Sequence, residues 1–233
     1  MNVKQKEENW NKSPFLLRFI GMGRPYFVKT PWWLKKVYPD RLWNIHTEEK
    51  IIYLTFDDGP HPLATPFVLD ELNKYNAKAT FFCIGSNVVD HPAIYKRILN
   101  EGHNVGNHTQ DHLNGWKTNT GIYLANVADA SKHIESNLFR PPYGRIRSSQ
   151  SKGIGYAMKN KYSKIVMWDV LSGDFDDSIS KEKCLKNVIT KATNGSIVVF
   201  HDREKAFPLL KHVLPGVLEF FAKSGYKFRK IEL

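Results

Sequence analysis

Cysteine is almost missing from this chain: Cys83 and Cys184 are the only two in 233 residues. They form no Cys-x-x-Cys pair, so neither a disulfide framework nor a cysteine-built zinc module is available, and a reducing compartment suits the chain. Cys83 reads as a small buried hydrophobe and Cys184 as a helix residue. Long apolar runs are missing too, since nothing approaches the roughly 18 residues of a membrane span. Phe15-Leu16-Leu17 and Phe19-Ile20 are split by Arg18, and no small-residue cleavage pattern follows. No cleavable signal peptide is therefore expected, and the expected location is cytoplasmic, with peripheral membrane attachment or another export route left open. There is no Lys/Arg run of five, no zinc-finger spacing and no RNA-binding aromatic signature, so nucleic acid is not an expected partner. Sequence repeats and low-complexity tracts are absent as well, and nothing bears on the oligomeric state.

What is present belongs to a globular protein. Aromatics make up 13% and charged residues 24%, and the length allows one large domain with a substantial core. The net charge of +11 favours acidic partners without choosing among them. Residues 1–46 stand apart, with nine Lys/Arg against three Asp/Glu and four of the six tryptophans: Trp10, Trp32, Trp33 and Trp43. Pro25, Pro31 and Pro39 break any long helix there. This basic, Trp-rich stretch is expected to be an N-terminal extension packed over one end of a catalytic domain spanning 47–233. Peripheral contact with a membrane surface is the alternative.

From residue 47 strands and helices alternate. The spacing predicts strands at Ile51–Phe56, Ala79–Ile84, His103–Asn107, Leu138–Arg140, Lys164–Trp168, Ser196–Phe200 and Tyr226–Ile231. Helices are predicted from Thr65-Pro66 onward as an N-cap and N1 pair, and over Asp90–Glu101, Ile122–Asn137, Ser148–Lys159, Ser180–Asn194 and Phe207–Lys223, the last with a kink at Pro215. Near-continuous apolar strands alternating with helices imply an α/β fold with a parallel sheet. About seven such units imply an irregular (β/α) barrel, incompletely closed.

Reactive side chains collect where those strands end. Asp57 and Asp58 close the first strand in Thr55-Phe56-Asp57-Asp58-Gly59-Pro60. A plain Asp-Gly-Pro turn would account for them. Two adjacent carboxylates on a buried strand, however, point opposite ways and need compensation, so one can bind a cation and the other act as a base. His108 and His112 follow the third strand in His108-Thr109-Gln110-Asp111-His112, a His-x-x-x-His spacing that would set two imidazoles on one helical face. Arg140 ends the fourth strand, Asp169 and Asp174 follow the fifth, and His201 follows the sixth. All lie at carboxyl-terminal strand ends, the rim where barrel active sites form. Two His and one carboxylate leave a fourth position open, which suits catalytic zinc, while cobalt, nickel or iron accept the same donors. His201 has no partner His at ligand spacing; it is either a structural histidine or the acid that protonates a leaving group.

These motifs resemble the polysaccharide deacetylases, carbohydrate esterase family 4, also called the NodB homology domain. The likeness runs from about Glu48 to Leu233 and rests on Thr55–Pro60, on His108–His112 and on Arg140-Pro141-Pro142-Tyr143. The resemblance implies an irregular (β/α) barrel with a divalent metal held by Asp58, His108 and His112. It makes Asp57 the general base toward the attacking water and Arg140 the partner of Asp57. The backbone N–H of Tyr143 becomes an oxyanion donor, and His201, oriented by Asp174, the acid for the departing amine. The implied reaction removes acetyl groups from N-acetylglucosamine in chitin- or peptidoglycan-like oligomers or polymers, with O-acetyl xylan esterase or small-amide hydrolase as the alternative. A glycan-binding protein without turnover is the non-enzymatic alternative. The chain departs from the family's fourth motif, Asp-x-x-Asp-Trp, with Leu171 at the first Asp and Phe175 at the Trp. Asp169 is the candidate to compensate in supporting Arg140. The fifth motif, Leu-x-His, reads Val199-Phe200-His201.

Overall fold

The computed structural model describes residues 26–233; Trp10, the Phe15–Ile20 stretch and the question of a signal peptide lie outside them. Seven parallel strands form one curled sheet in the order β5-β4-β3-β2-β1-β7-β6. They are β1 (Ile51–Asp57), β2 (Thr80–Cys83), β3 (Asn104–Asn107), β4 (Leu138–Phe139), β5 (Lys164–Ile165), β6 (Val170–Leu171) and β7 (Ile197–His201). A short β8 (Lys227–Phe228) pairs with the start of β1. Around the sheet lie α2 (Ala64–Lys74), α3 (Gly85–Asp90), α4 (Pro92–Asn100), α5 (Thr120–Ala130), α6 (Ser148–Ala157), α7 (Lys181–Ile189) and α8 (Phe207–Lys223), after an N-terminal α1 (Trp32–Val37).

Every residue of β1 is buried, and its alternation builds two different interiors. Ile52, Leu54 and Phe56 face the helices and join α2 and α8 residues such as Leu69 and Leu214. Phe56 stacks between Phe81 and Phe200 at centroid distances of 5.1 and 5.9 Å; truncating it to Ala would cost about 3–5 kcal/mol. Ile51 and Tyr53 face the other side, with Val166 and Ile197. Thr55 and Asp57 continue that inward row, so the pleat that buries the strand also delivers Asp57 to the barrel interior.

The sheet is not closed by β5 and β6, its two edges. Residues 28–42 occupy the gap. Leu42 accepts from Met167 N–H and donates to the Ile165 carbonyl, while Thr30 N–H donates to the Asp169 carbonyl and Leu171 N–H to the Val28 carbonyl. Lys29 and Lys35 reach Asp169 at 2.5 and 2.6 Å, and Trp43 is buried in a second apolar cluster. The strand expected over Lys164–Trp168 therefore stops at Ile165. Beyond it the Met167 N–H and the Trp168 and Asp169 carbonyls bond Leu42 and Thr30 of the N-terminal segment, and a separate β6 pairs with β7.

Several helix boundaries differ for local reasons. The helix expected over Asp90–Glu101 begins instead at Pro92, because Asp90 ends the separate α3 and His91 between them is non-helical, with φ of −129° and ψ of 54°, outside the α region that a following proline disfavours. Thr65 is no N-cap: it lies inside α2, and its hydroxyl donates to buried Asp202. Ser180 does cap α7, accepting from Lys183 N–H, and α8 runs through Pro215.

Candidate active site

Asp57 ends β1, and its carboxylate is met by Arg140 directly after β4. The Arg140 Nη1 lies 2.7 Å from both Asp57 Oδ1 and Thr55 Oγ1, and Nη2 and Nε donate to the Met167 and Val166 carbonyls at 2.8 and 3.2 Å. Its guanidinium plane covers the Phe82 ring at 4.0 Å. Arg140 is fully buried, so this planar fork is satisfied by one carboxylate, one hydroxyl and two carbonyls. Asp169 does not compensate for Leu171, contrary to the sequence expectation. It is bound to Lys29, Lys35 and Ser196, and the β5–β6 loop supports Arg140 through its carbonyls alone.

Asp58, one residue on, has a left-handed φ of 80°, which turns its carboxylate away from Asp57. The adjoining Gly59 leaves no room for a side chain, because a Cβ there would fall 2.1 Å from Asp202 Oδ2. Its N–H donates to Asp202 Oδ1 at 3.0 Å. Burial of Asp202 pushes that carboxyl up to about 8, against the hydrogen bond from Thr65 and with the Asp58 charge adding to it.

His108 and His112 are not on a helix, which corrects the expected helical face. They sit in a loop after β3 in which Thr109 and His112 have φ of 67° and 55°. Asn107 Oδ1 accepts from Thr109 N–H at 2.8 Å, and Asn126 Oδ1 accepts from Gln110 and Asp111 N–H at 2.9 and 3.1 Å. Two asparagine side chains thus replace the helical ladder and stabilise left-handed residues that are costly by themselves. His108 Nδ1 donates to the Arg140 carbonyl at 2.7 Å, which leaves the Nε2 lone pair free.

The ring atoms then converge on Asp58. His108 Nε2 and His112 Nε2 lie 3.4 and 3.0 Å from Asp58 Oδ1, and the three donor atoms lie within 4.8 Å of one another. Burial lowers the His112 imidazole despite the Asp58 charge beside it, so that ring is neutral near pH 7. Asp58 Oδ1 is buried without a hydrogen-bond partner. A carboxylate oxygen and two ring lone pairs aimed at one point fit a divalent cation, and no hydrogen bond among the described residues satisfies that oxygen. Arg203, which the sequence reading missed, sits 3.2 Å from Asp58 Oδ2. It fixes the second carboxylate oxygen and leaves Oδ1 facing the imidazoles.

Opposite, His201 ends β7. Its Nδ1 donates to Asp174 Oδ1 at 2.8 Å and its backbone N–H to Asp174 Oδ2 at 2.7 Å, while Ser172 Oγ supports Oδ1 at 2.9 Å. Burial opposes the charged ring, but Asp174 outweighs it, with Asp58 and Asp57 adding, and His201 is pushed up to about 9. Phe175, in the fourth-motif Trp position, packs edge-on to the His201 ring at 5.2 Å. Tyr143 has φ of 60° in a 3-10 turn over Pro142–Gly144, and its ring lies 4.6 Å from that of His112. Asp57, Asp58, His108, His112, Tyr143, Phe175, His201 and Arg203 are among the residues that line a cavity of about 300 Å³.

A family model for polysaccharide deacetylase matches residues 44–158. A peptidoglycan-N-acetylglucosamine deacetylase of Bacillus cereus is 36% identical over 196 residues, covering 80% of this chain and 88% of that one. The chain belongs to the polysaccharide deacetylase family. Peptidoglycan-N-acetylglucosamine deacetylase PgdA of Listeria monocytogenes is 35% identical over 78% of this chain but only 38% of its own length. Among solved structures of the family, the Bc1960 peptidoglycan N-acetylglucosamine deacetylase matches with TM-score 0.74 and 29% identity, over 87% of this chain and 95% of that one. A family pseudoenzyme from Bacillus anthracis, BA3943, matches with TM-score 0.71 and 25% identity over 85% of this chain and 69% of that one. The fold is therefore shared by members with and without turnover, and the side chains of the cleft have to decide the activity.

Proposed function

We propose that this polysaccharide deacetylase removes N-acetyl groups from N-acetylglucosamine residues of a peptidoglycan- or chitin-like glycan, using one divalent cation held by Asp58, His108 and His112. The observation that carries the proposal is the convergence of those three donors between an Arg-paired aspartate and an Asp-paired histidine. Two nitrogens and one oxygen with an open position match zinc, and cobalt, nickel and iron accept the same set. When bound, the cation supplies Lewis acidity, which acidifies a water and polarises the acetyl carbonyl.

Asp57 takes the proton from the attacking water as its oxygen bonds to the acetyl carbon. Arg140 keeps the Asp57 carboxylate paired and fixes its direction. The N–H of Tyr143 donates to the carbonyl oxygen as negative charge builds on it. His201, charged at neutral pH and held by Asp174, delivers its proton to the amide nitrogen. The carbon–nitrogen bond then breaks, leaving acetate and a free amino sugar.

The test is acetate release from peptidoglycan fragments and chitooligosaccharides, measured with and without a chelator, with metal content read in parallel. Acetate release that stops on chelation and returns with added zinc supports the proposal. Release unaffected by removal of the metal contradicts it.

A further inference from the structure

The N-terminal segment does more than fill the gap in the sheet. Of the fifteen large hydrophobic side chains exposed among the described residues, five fall within residues 27–38: Phe27, Trp32, Trp33, Val37 and Tyr38. Trp32 is 69% exposed, Phe27 60%, Val37 59% and Trp33 48%, and α1 buries none of its residues. A helix in this position gains nothing from the core for its two tryptophans. It is held instead from behind, by Lys35 and Lys29 on Asp169, by Leu34 against the second apolar cluster and by buried Trp43. The aromatic face is thus fixed outward on a firm base.

Its chemistry is that of a lipid-water boundary. Lys36 lies over the Trp32 ring at 5.0 Å and Arg41 over the Tyr38 ring at 4.0 Å, with Asp40 the one acidic side chain of residues 26–46. Tryptophan bodies with cations at their margin match anionic headgroups above acyl chains. The residues that precede this segment in sequence are of similar composition: Trp10, Phe15, Leu16, Leu17, Phe19 and Ile20 among Lys4, Lys6, Lys12, Arg18 and Arg24, against Glu7 and Glu8.

We propose that Phe27, Trp32, Trp33 and Val37 form a docking face for an anionic lipid bilayer. Phe27 and Tyr38 also line an apolar groove of about 310 Å³ that shares Tyr143 and Trp168 with the catalytic cavity. Docking therefore sets the cleft beside the lipid surface, where it meets glycan close to the membrane. The proposal is independent of the hydrolytic assignment.

The experiment uses the full chain and sedimentation with sucrose-loaded vesicles, either of phosphatidylcholine alone or of phosphatidylcholine and phosphatidylglycerol in equal parts. The expected result is binding to the mixed vesicles, weakened by salt, with blue-shifted tryptophan emission and quenching by brominated lipid. The double variant W32A/W33A should lose at least tenfold in partitioning while its circular dichroism and Tm stay at the parent values, because neither side chain is buried. The control Y156A/Y162A, which removes exposed aromatics elsewhere, should bind like the parent. Binding that is absent, that survives W32A/W33A, or that falls equally in the control overturns the proposal. A dimer broken by W32A/W33A without vesicle binding also overturns it and makes the face a contact between copies.

Discussion

Replacing Arg140 with Met removes a fully buried cation from beside Asp57. Arg140 is 0% exposed and Asp57 4%, and the pair is 2.7 Å apart. Breaking a buried pair by deleting one member costs about 3–5 kcal/mol, because the other charge is left uncompensated. The Val166 and Met167 carbonyls lose their guanidinium donors as well, at roughly 1 kcal/mol each, partly offset by burying the Met side chain. A loss of about 4 kcal/mol follows, which for a chain of this size lowers Tm by about 8–16 °C. Urea unfolding of metal-free protein, followed by circular dichroism, measures it. The double variant D57N/R140M no longer strands a charge and should recover about 1–3 kcal/mol relative to R140M. If R140M lies within about 1 kcal/mol of the parent, or if D57N/R140M is no more stable than R140M, the ionic reading of this pair is wrong.

Asp57→Asn should keep its metal, measured by elemental analysis, and lose about 10²–10⁴-fold in kcat, the range of a general base. For His201, the pKa raised from 6.5 to about 9 means that its charged form stabilises the fold fully below about pH 6.5, and that this contribution is lost as pH rises toward 9. The Tm deficit of Asp174→Asn should therefore be largest in the acid part of that window and narrow above it, with the His201 ring titrating lower by NMR. Zinc at a hundredfold excess over its Kd should stabilise the parent by about 2.7 kcal/mol, a Tm rise of roughly 5–11 °C. The variant H108A/H112A should show no such rise.

The side chains that converge in the cleft were legible because they sit in short motifs at strand ends, and a seven-residue buried strand such as β1 announces itself by its apolar run. What surrounds them was not. Nothing local distinguishes a His-x-x-x-His on a helix from one in a loop; Asn107 and Asn126, nineteen residues apart in sequence, decide that by capturing backbone N–H groups. The support of Arg140 was misjudged for a similar reason. Sequence reading looks for a carboxylate and so favours Asp169, whereas the carbonyls of Val166 and Met167 carry no side-chain signature. The Lys29 and Lys35 cations that claim Asp169 lie more than a hundred residues upstream. Arg203 has no motif around it beyond its place two residues after His201. The N-terminal tryptophans divide by tertiary context, Trp43 inward and Trp32 and Trp33 outward, which composition cannot resolve.

The most direct test is a crystal of the zinc-loaded protein with anomalous diffraction recorded on both sides of the zinc absorption edge. The account predicts one edge-dependent peak about 2.0–2.2 Å from Asp58 Oδ1, His108 Nε2 and His112 Nε2, with Asp57 still bound to Arg140 and free of the ion. A peak at any other set of side chains, or an ion that takes Asp57 and leaves Asp58 to Arg203, would contradict it.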